Sequence, residues 1–236
     1  MSYALQVCSY LLWFPLLCLT INAVLRSGVR RYPLVFAYLV ITLLITATQA
    51  PAALAYQRSR PGSRGQGEWL QWVHAVGETA AYAVLLMVVF SLIYQATARF
   101  GGRGVMRTVL TAGPLLVIAI SFLINHDSKS MLVDWFTPWS RDLKFCAAVL
   151  DLALWGLLLV TRNRDTRLLL LTGGMGVMFA GNAIGESVRH LALRGGSMPL
   201  FLASNALLAV ADLAMLYIWW RAFREGDQRS AAVRAA

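Results

Sequence analysis

The chain is poor in charged residues and in cysteine, and each shortage excludes a class of protein. Only 14% of its 236 residues are charged, whereas 58% are hydrophobic. Soluble domains carry about 25% charged residues and do not sustain repeated apolar runs of about 20 residues. The three cysteines, Cys8, Cys18 and Cys146, lie in apolar runs without CxxC spacing. This pattern favours reduced, buried thiols over a disulfide framework.

Common catalytic and cofactor signatures are also missing from the sequence. It contains no HExxH motif, no Gly-rich phosphate loop and no Ser-His-Asp order. The last apolar run, residues 199–221, has no lysine, so we expect no retinal Schiff base of the microbial-rhodopsin kind. The signature motifs of G-protein-coupled receptors and the Pro-Gln dipeptide of small sugar transporters are absent as well.

The net charge of +10 does not indicate a nucleic-acid-binding protein. The basic residues cluster in short hinges between apolar runs, which is typical of the positive flanks of membrane helices. The lipid bilayer is therefore the expected partner, and no nucleic acid is expected.

Seven apolar segments are long enough to cross a bilayer, which takes about 20 residues. We predict an all-α bundle of seven transmembrane helices in one domain, residues 1–225, followed by a short polar tail, 226–236. A longer amphipathic connection, 126–138, is predicted to form an interfacial helix or lid. The segments lie at 4–25, 33–56, 69–97, 105–125, 139–161, 167–193 and 199–221.

The orientation follows from the basic residues in alternate loops. The hinges after segments one, three, five and seven, with the adjoining helix ends, hold thirteen Lys and Arg, and the opposite ends of the segments with their loops hold the remaining eight of the 21. The richer set is expected on the cytoplasmic side. We therefore predict the N-terminus outside and the C-terminus in the cytoplasm of a bacterial-type inner membrane.

Segment six carries an unusual polar stripe inside an apolar run. Residues three and four apart are neighbours on a helix, so four polar side chains share one face. They are Asn182, Glu186, Arg189 and His190. Because ionisable groups within a membrane segment are costly, they are functional suspects.

Segment three repeats this pattern. Its sequence His-Ala-Val-Gly-Glu-Thr, residues 74–79, resembles Asn-Ala-Ile-Gly-Glu-Ser, residues 182–187. His74 and His190 each lie four residues outward of a glutamate, Glu78 and Glu186, at similar predicted depth. Two such faces turned together predict an outward-facing polar pocket. The same four residues also suit zinc, manganese or iron, or a haem between the histidines. A third interpretation is that they pair with one another and only hold the helices together.

Two carboxylates lie deeper. Asp151 in segment five and Asp212 in segment seven are close to the predicted midplane, and Asn205 shares a face with Asp212. All three are included in the predicted ligand pocket. They also permit a proton or cation path, which would make the protein a small transporter.

The leading functional hypothesis is a receptor-like or accessory membrane protein. We expect no soluble output domain, so any signal would pass through a protein partner. The alternative is a metal-dependent intramembrane enzyme or a haem-containing electron-transfer subunit, and a small transporter is the further alternative. Whether the protein is an enzyme is left open by the sequence, which also does not identify the ligand.

Overall fold

The structure, a computed structural model, describes residues 3–27, 29–58, 64–97, 132–160 and 165–235, with eight separate positions between 108 and 123. Six α-helices are complete within these residues. They are α1 (Tyr3–Ser27), α2 (Pro33–Arg58), α3 (Arg64–Thr97), α4 (Leu132–Val160), α5 (Thr166–Gly195) and α6 (Met198–Ala235). The eight separate positions, which belong to predicted segment four, are also helical. Predicted segments five, six and seven correspond to α4, α5 and α6.

Three helical stretches of the described chain are long and apolar enough to cross a membrane. They are Ala75–Thr97, Thr166–Gly195 and Met198–Arg224. Large apolar side chains also point away from the protein, for example Leu191, Val210 and Tyr217, each more than half exposed. In lipid, backbone polar groups need hydrogen-bond partners within the protein, and a helix supplies them through its own hydrogen bonds. An all-helical chain with exposed apolar faces is therefore suited to a bilayer.

The beginning of α5 is fixed by Asp165. Its Oδ1 accepts a hydrogen bond from the Leu168 amide at 3.4 Å, which caps the helix. Its Oδ2 pairs with the Arg31 guanidinium at 2.6 Å. This ion pair places the chain that follows α1 and the start of α5 at the same end of the protein.

A tight turn joins α5 to α6. Gly196 has a φ of 63°, in the left-handed region where glycine carries no steric penalty. The amides of Gly196 and Ser197 both donate to the Ala192 carbonyl, which closes the end of α5. The two helices therefore run antiparallel.

The chain forms two compact units. One contains Met1–Arg31 and Asp151–Ala236, and the other contains Tyr32–Leu150. In the first unit α5 packs on α6, and α1 packs on α6 as well. The Thr20 hydroxyl of α1 lies 3.4 Å from the Leu216 carbonyl of α6, and Leu17 and Val24 are buried on the same helix.

Three glycines of α5 form a seam against α6. A Cβ added at Gly174 would lie 2.9 Å from Cδ1 of Trp219, and one at Gly185 would lie 2.8 Å from Cδ2 of Leu208. A Cβ at Gly181 would collide with the Ala211 Cβ. Small residues let membrane helices approach closely and gain van der Waals contact. We call these three positions the glycine seam.

The buried indole of Trp219 completes the contact between α5 and α6. Its Nε1 donates to the Leu171 carbonyl at 2.9 Å, and the side chain is fully buried. A buried tryptophan needs a partner for its N–H group. The bond therefore fixes the rotation of α6 against α5.

In the second unit, α3 packs on α2 through Gly77. A Cβ at this glycine would lie 3.0 Å from Cγ2 of Ile45 and 2.9 Å from Nε2 of Gln49. Lys144 of α4 lies over the Tyr82 ring of α3, with Nζ 5.2 Å from the ring centroid. This distance suits a cation–π interaction.

Two predicted boundaries differ from the structure. Residues 132–138, expected in a separate interfacial segment, are the first turns of α4, whereas 126–131 lie outside the described residues. No glycine lies between residues 132–138 and predicted segment five, and the helix continues there without interruption. Residues 226–235, expected as a polar tail, continue α6. Extending an existing helix requires no new nucleus, and this stretch is rich in alanine and arginine.

We predict that Gly181→Ala destabilises the protein by about 1–3 kcal/mol, because its methyl group would overlap Ala211. Thermal unfolding in detergent measures the effect. Gly156→Ala on α4 is the matched control, because a Cβ there meets no atom within 4 Å. The control is expected to be neutral or stabilising, since alanine favours helix. Equal unfolding temperatures for the two variants would contradict the role of the seam.

Candidate functional site

The polar stripe of α5 changes from buried to exposed along the helix. Asn182 is only 5% exposed, Glu186 is partly buried, and Arg189 and His190 are exposed. The stripe therefore lies on one helix, with its first residue largely buried and its outermost residues at the surface.

Asn182 is the residue of the stripe whose environment is least expected. Within the described part of the chain, no hydrogen bond reaches its side-chain amide, and the amide atoms are not among the fully enclosed polar atoms. The residue is thus largely buried while its amide stays accessible. Because polar groups inside folded proteins are normally satisfied, this amide indicates a place where a ligand or water would bind.

The outer end of the stripe contacts α6. The Arg189 guanidinium carbon lies 5.6 Å from the Phe201 ring centroid, within cation–π distance. Ser187 donates to the Ala183 carbonyl of its own helix at 2.8 Å. Arg189 is thus tied to the start of α6, which holds the exposed end of the stripe in place.

On α3, Glu78 is partly buried and the next residue, Thr79, is buried. Thr79 donates to the Ala75 carbonyl at 2.8 Å. The side chain of His74 lies outside the described residues. Its predicted position beside Glu78 therefore stays a prediction.

The resemblance between the two Gly-Glu stretches has a structural explanation. In each, the glycine contacts a neighbouring helix, and the following hydroxyl bonds to the alanine carbonyl four residues earlier. Gly77 contacts α2, which precedes its helix, whereas Gly185 contacts α6, which follows its helix. The two stretches therefore share a packing role with non-equivalent neighbours.

The two halves of the predicted pocket belong to different units. His74 and Glu78 are in the second unit, and the stripe of α5 is in the first. Their meeting therefore stays a prediction. Among the side chains that the structure describes, no three of His, Cys, Asp and Glu lie close enough to hold a metal ion. Because His74 is outside that set, the proposed metal site is not tested.

The deeper polar residues have distinct environments. Asn205 and Asp212 of α6 are partly buried. Asp151 of α4 is only 1% exposed, and its Oδ1 has no hydrogen-bond partner among the described residues. A carboxyl group without a partner is more costly to bury than an amide.

Asp151 borders an apolar groove between α4 and α5. The groove has a volume of about 520 Å³. Ile218 of α6 also reaches it. The remaining lining residues are Leu152, Trp155, Leu169, Leu170, Thr172, Gly173, Gly176, Val177 and Ala180. No sequence pattern indicated this apolar lining, and the predicted ligand pocket that includes Asp151 stays a prediction.

Comparisons with known proteins do not identify this chain. No family model, no curated protein and no solved structure matches it. The chemistry of its own side chains therefore carries any functional conclusion.

We expect Asn182→Leu to change the free energy of unfolding by less than about 1 kcal/mol, because no described protein group bonds to the amide. Chemical or thermal unfolding in detergent provides the measurement. Thr172→Val is the control, since the Thr172 hydroxyl already donates to the Leu168 carbonyl at 3.0 Å. The control should be neutral or slightly destabilising. A clear loss of stability in Asn182→Leu would mean that the amide has a structural partner.

Proposed function

We propose that this protein is a receptor-like or accessory membrane protein with an outward-facing polar pocket between α3 and α5. The observation that carries the proposal is the largely buried Asn182, whose accessible amide has no hydrogen-bond partner within the described residues. The ligand would contact Asn182 and Glu186, with Glu78 and His74 supplied by α3 and His190 at the outer rim.

The proposal includes seven transmembrane helices, with the N-terminus outside and the C-terminus in the cytoplasm of a bacterial inner membrane. Three long apolar helices support the membrane setting. The Arg31–Asp165 ion pair supports the assignment of these two hinges to one side of the membrane. Output would require a protein partner.

The partial burial of Glu78 and Glu186 suits a pocket that is reached from one membrane surface. A carboxylate at such a site binds cationic or hydrogen-bond-donating groups. Asn182 adds a group that both donates and accepts. Together they favour a small polar ligand.

The pocket requires α3 and α5 to face each other at their outer ends. We predict that Glu78→Cys combined with Glu186→Cys forms a disulfide in native membranes, in a background without Cys8, Cys18 and Cys146. A disulfide needs Cα atoms within about 7 Å, so its formation directly tests the geometry. Mass spectrometry of the joined peptides provides the readout.

The matched control combines Glu78→Cys with Ile184→Cys. Ile184 is more than half exposed and lies about 200° around α5 from Glu186, at nearly the same depth. This pair should stay reduced. If the control crosslinks and the Glu78–Glu186 pair does not, the proposed pocket is wrong.

Metal content distinguishes the pocket from the enzyme alternative. We expect the protein purified in mild detergent, without chelators or metal-affinity steps, to contain less than stoichiometric zinc, manganese or iron by elemental analysis. Stoichiometric metal that is lost in Glu78→Gln/Glu186→Gln would replace the proposal with the metal or haem alternative. A transporter using Asp151 and Asp212 would instead show substrate-dependent flux in liposomes.

A further inference from the structure

The groove between α4 and α5 combines an apolar lining with one buried acid. Asp151 is the only ionisable residue among the described residues that line it. Thr172, which also lines the groove, donates to the Leu168 carbonyl of its own helix. The Asp151 Oδ1, in contrast, is enclosed and has no hydrogen-bond partner among the described residues.

Two glycines create the space in front of this carboxyl group. A Cβ at Gly173 would meet no atom within 4 Å, and the nearest atom to a Cβ at Gly176 is Asp151 Oδ2 at 3.5 Å. Neither glycine is required for close contact between helices, unlike the glycine seam. Their effect is to keep the groove open, with a volume in the range of about 300–1,000 Å³ that is typical of ligand sites.

The rim of the groove is formed by apolar side chains that are exposed at the protein surface. Leu152 is 63% exposed, and Trp155 is 44% exposed. Asp151 lies twelve residues into predicted segment five, or about 18 Å along a helix, which is near the middle of a hydrocarbon layer of about 30 Å. A molecule that reaches this groove is therefore expected to come from the bilayer.

We propose that the groove binds a lipophilic amine, which is an apolar molecule with one protonated amino group. Charge complementarity selects this class, since the described lining residues include an acid and no basic side chain. An ammonium group would form a charge-assisted hydrogen bond with Asp151, and the Trp155 ring at the rim offers a cation–π contact. The apolar body would replace lipid along Leu152 and Val177.

This site is independent of the polar pocket. The groove positions of α5, such as Gly173 and Gly176, lie on the opposite flank of the helix from Asn182 at about 100° per residue. The groove also lies within one compact unit and needs no contact between α3 and α5. The failure of either proposal leaves the other unaffected.

The test is saturable binding of radiolabelled N,N-dimethyldodecylamine to the full chain in lipid nanodiscs, with empty nanodiscs as background. The neutral probe of matched length is 1-dodecanol. We expect the amine to bind saturably and more tightly than the alcohol. Asp151→Asn should weaken amine binding by about tenfold or more, because it removes the ionic partner, and should leave alcohol binding unchanged.

A second pair of variants tests the groove without changing the acid. Gly173→Leu places a side chain into the groove and should abolish saturable amine binding. Gly156→Leu is the matched control, because its Cβ also meets no atom within 4 Å and the residue does not line the groove. It should bind the amine like the wild type. This pair decides the question if Asp151→Asn does not fold.

Three results would overturn the proposal. The first is the absence of saturable amine binding above that of empty nanodiscs. The second is equal amine affinity in the wild type and a folded Asp151→Asn variant, which would mean that the groove holds only a lipid chain. The third is equal binding in Gly173→Leu and Gly156→Leu.

Discussion

Close contact between α5 and α6 determines where the polar side chains of this protein lie. The glycine seam brings the two helices together, and the Trp219 bond to the Leu171 carbonyl fixes their rotation. In a bilayer, association between helices depends on packing and hydrogen bonds, because lipid is as apolar as leucine. Once this face of α5 is committed to α6, its two flanks must carry Asn182 on one side and the groove on the other.

Polar groups without protein partners are the main functional evidence in this structure. Most described hydroxyl groups in the helices have ordinary local partners, as Thr79, Thr172 and Ser187 show. The enclosed Oδ1 of Asp151 and the more accessible amide of Asn182 do not, within the described part of the chain. Burial without compensation lowers stability, so such groups are consistent with sites that a ligand completes.

The repeated Gly-Glu pattern illustrates why sequence resemblance needs a structure to interpret it. From the sequence, the repeated glutamates and histidines indicated a shared polar site. In the structure, the repeated glycine and hydroxyl residues have clear packing roles, whereas the glutamates are partly buried in separate units. Helix packing alone therefore explains part of the pattern.

The sequence by itself determined the all-helical fold, the apolar character and most helix positions, because long apolar runs leave the backbone few alternatives to a helix. It also placed Asn182, Glu186, Arg189 and His190 on one stripe, which follows from helical periodicity. Only the tertiary structure decided which of these residues are buried, and that Asp151 borders an apolar groove. Burial and groove shape depend on how α4, α5 and α6 pack, and helical periodicity does not specify neighbours.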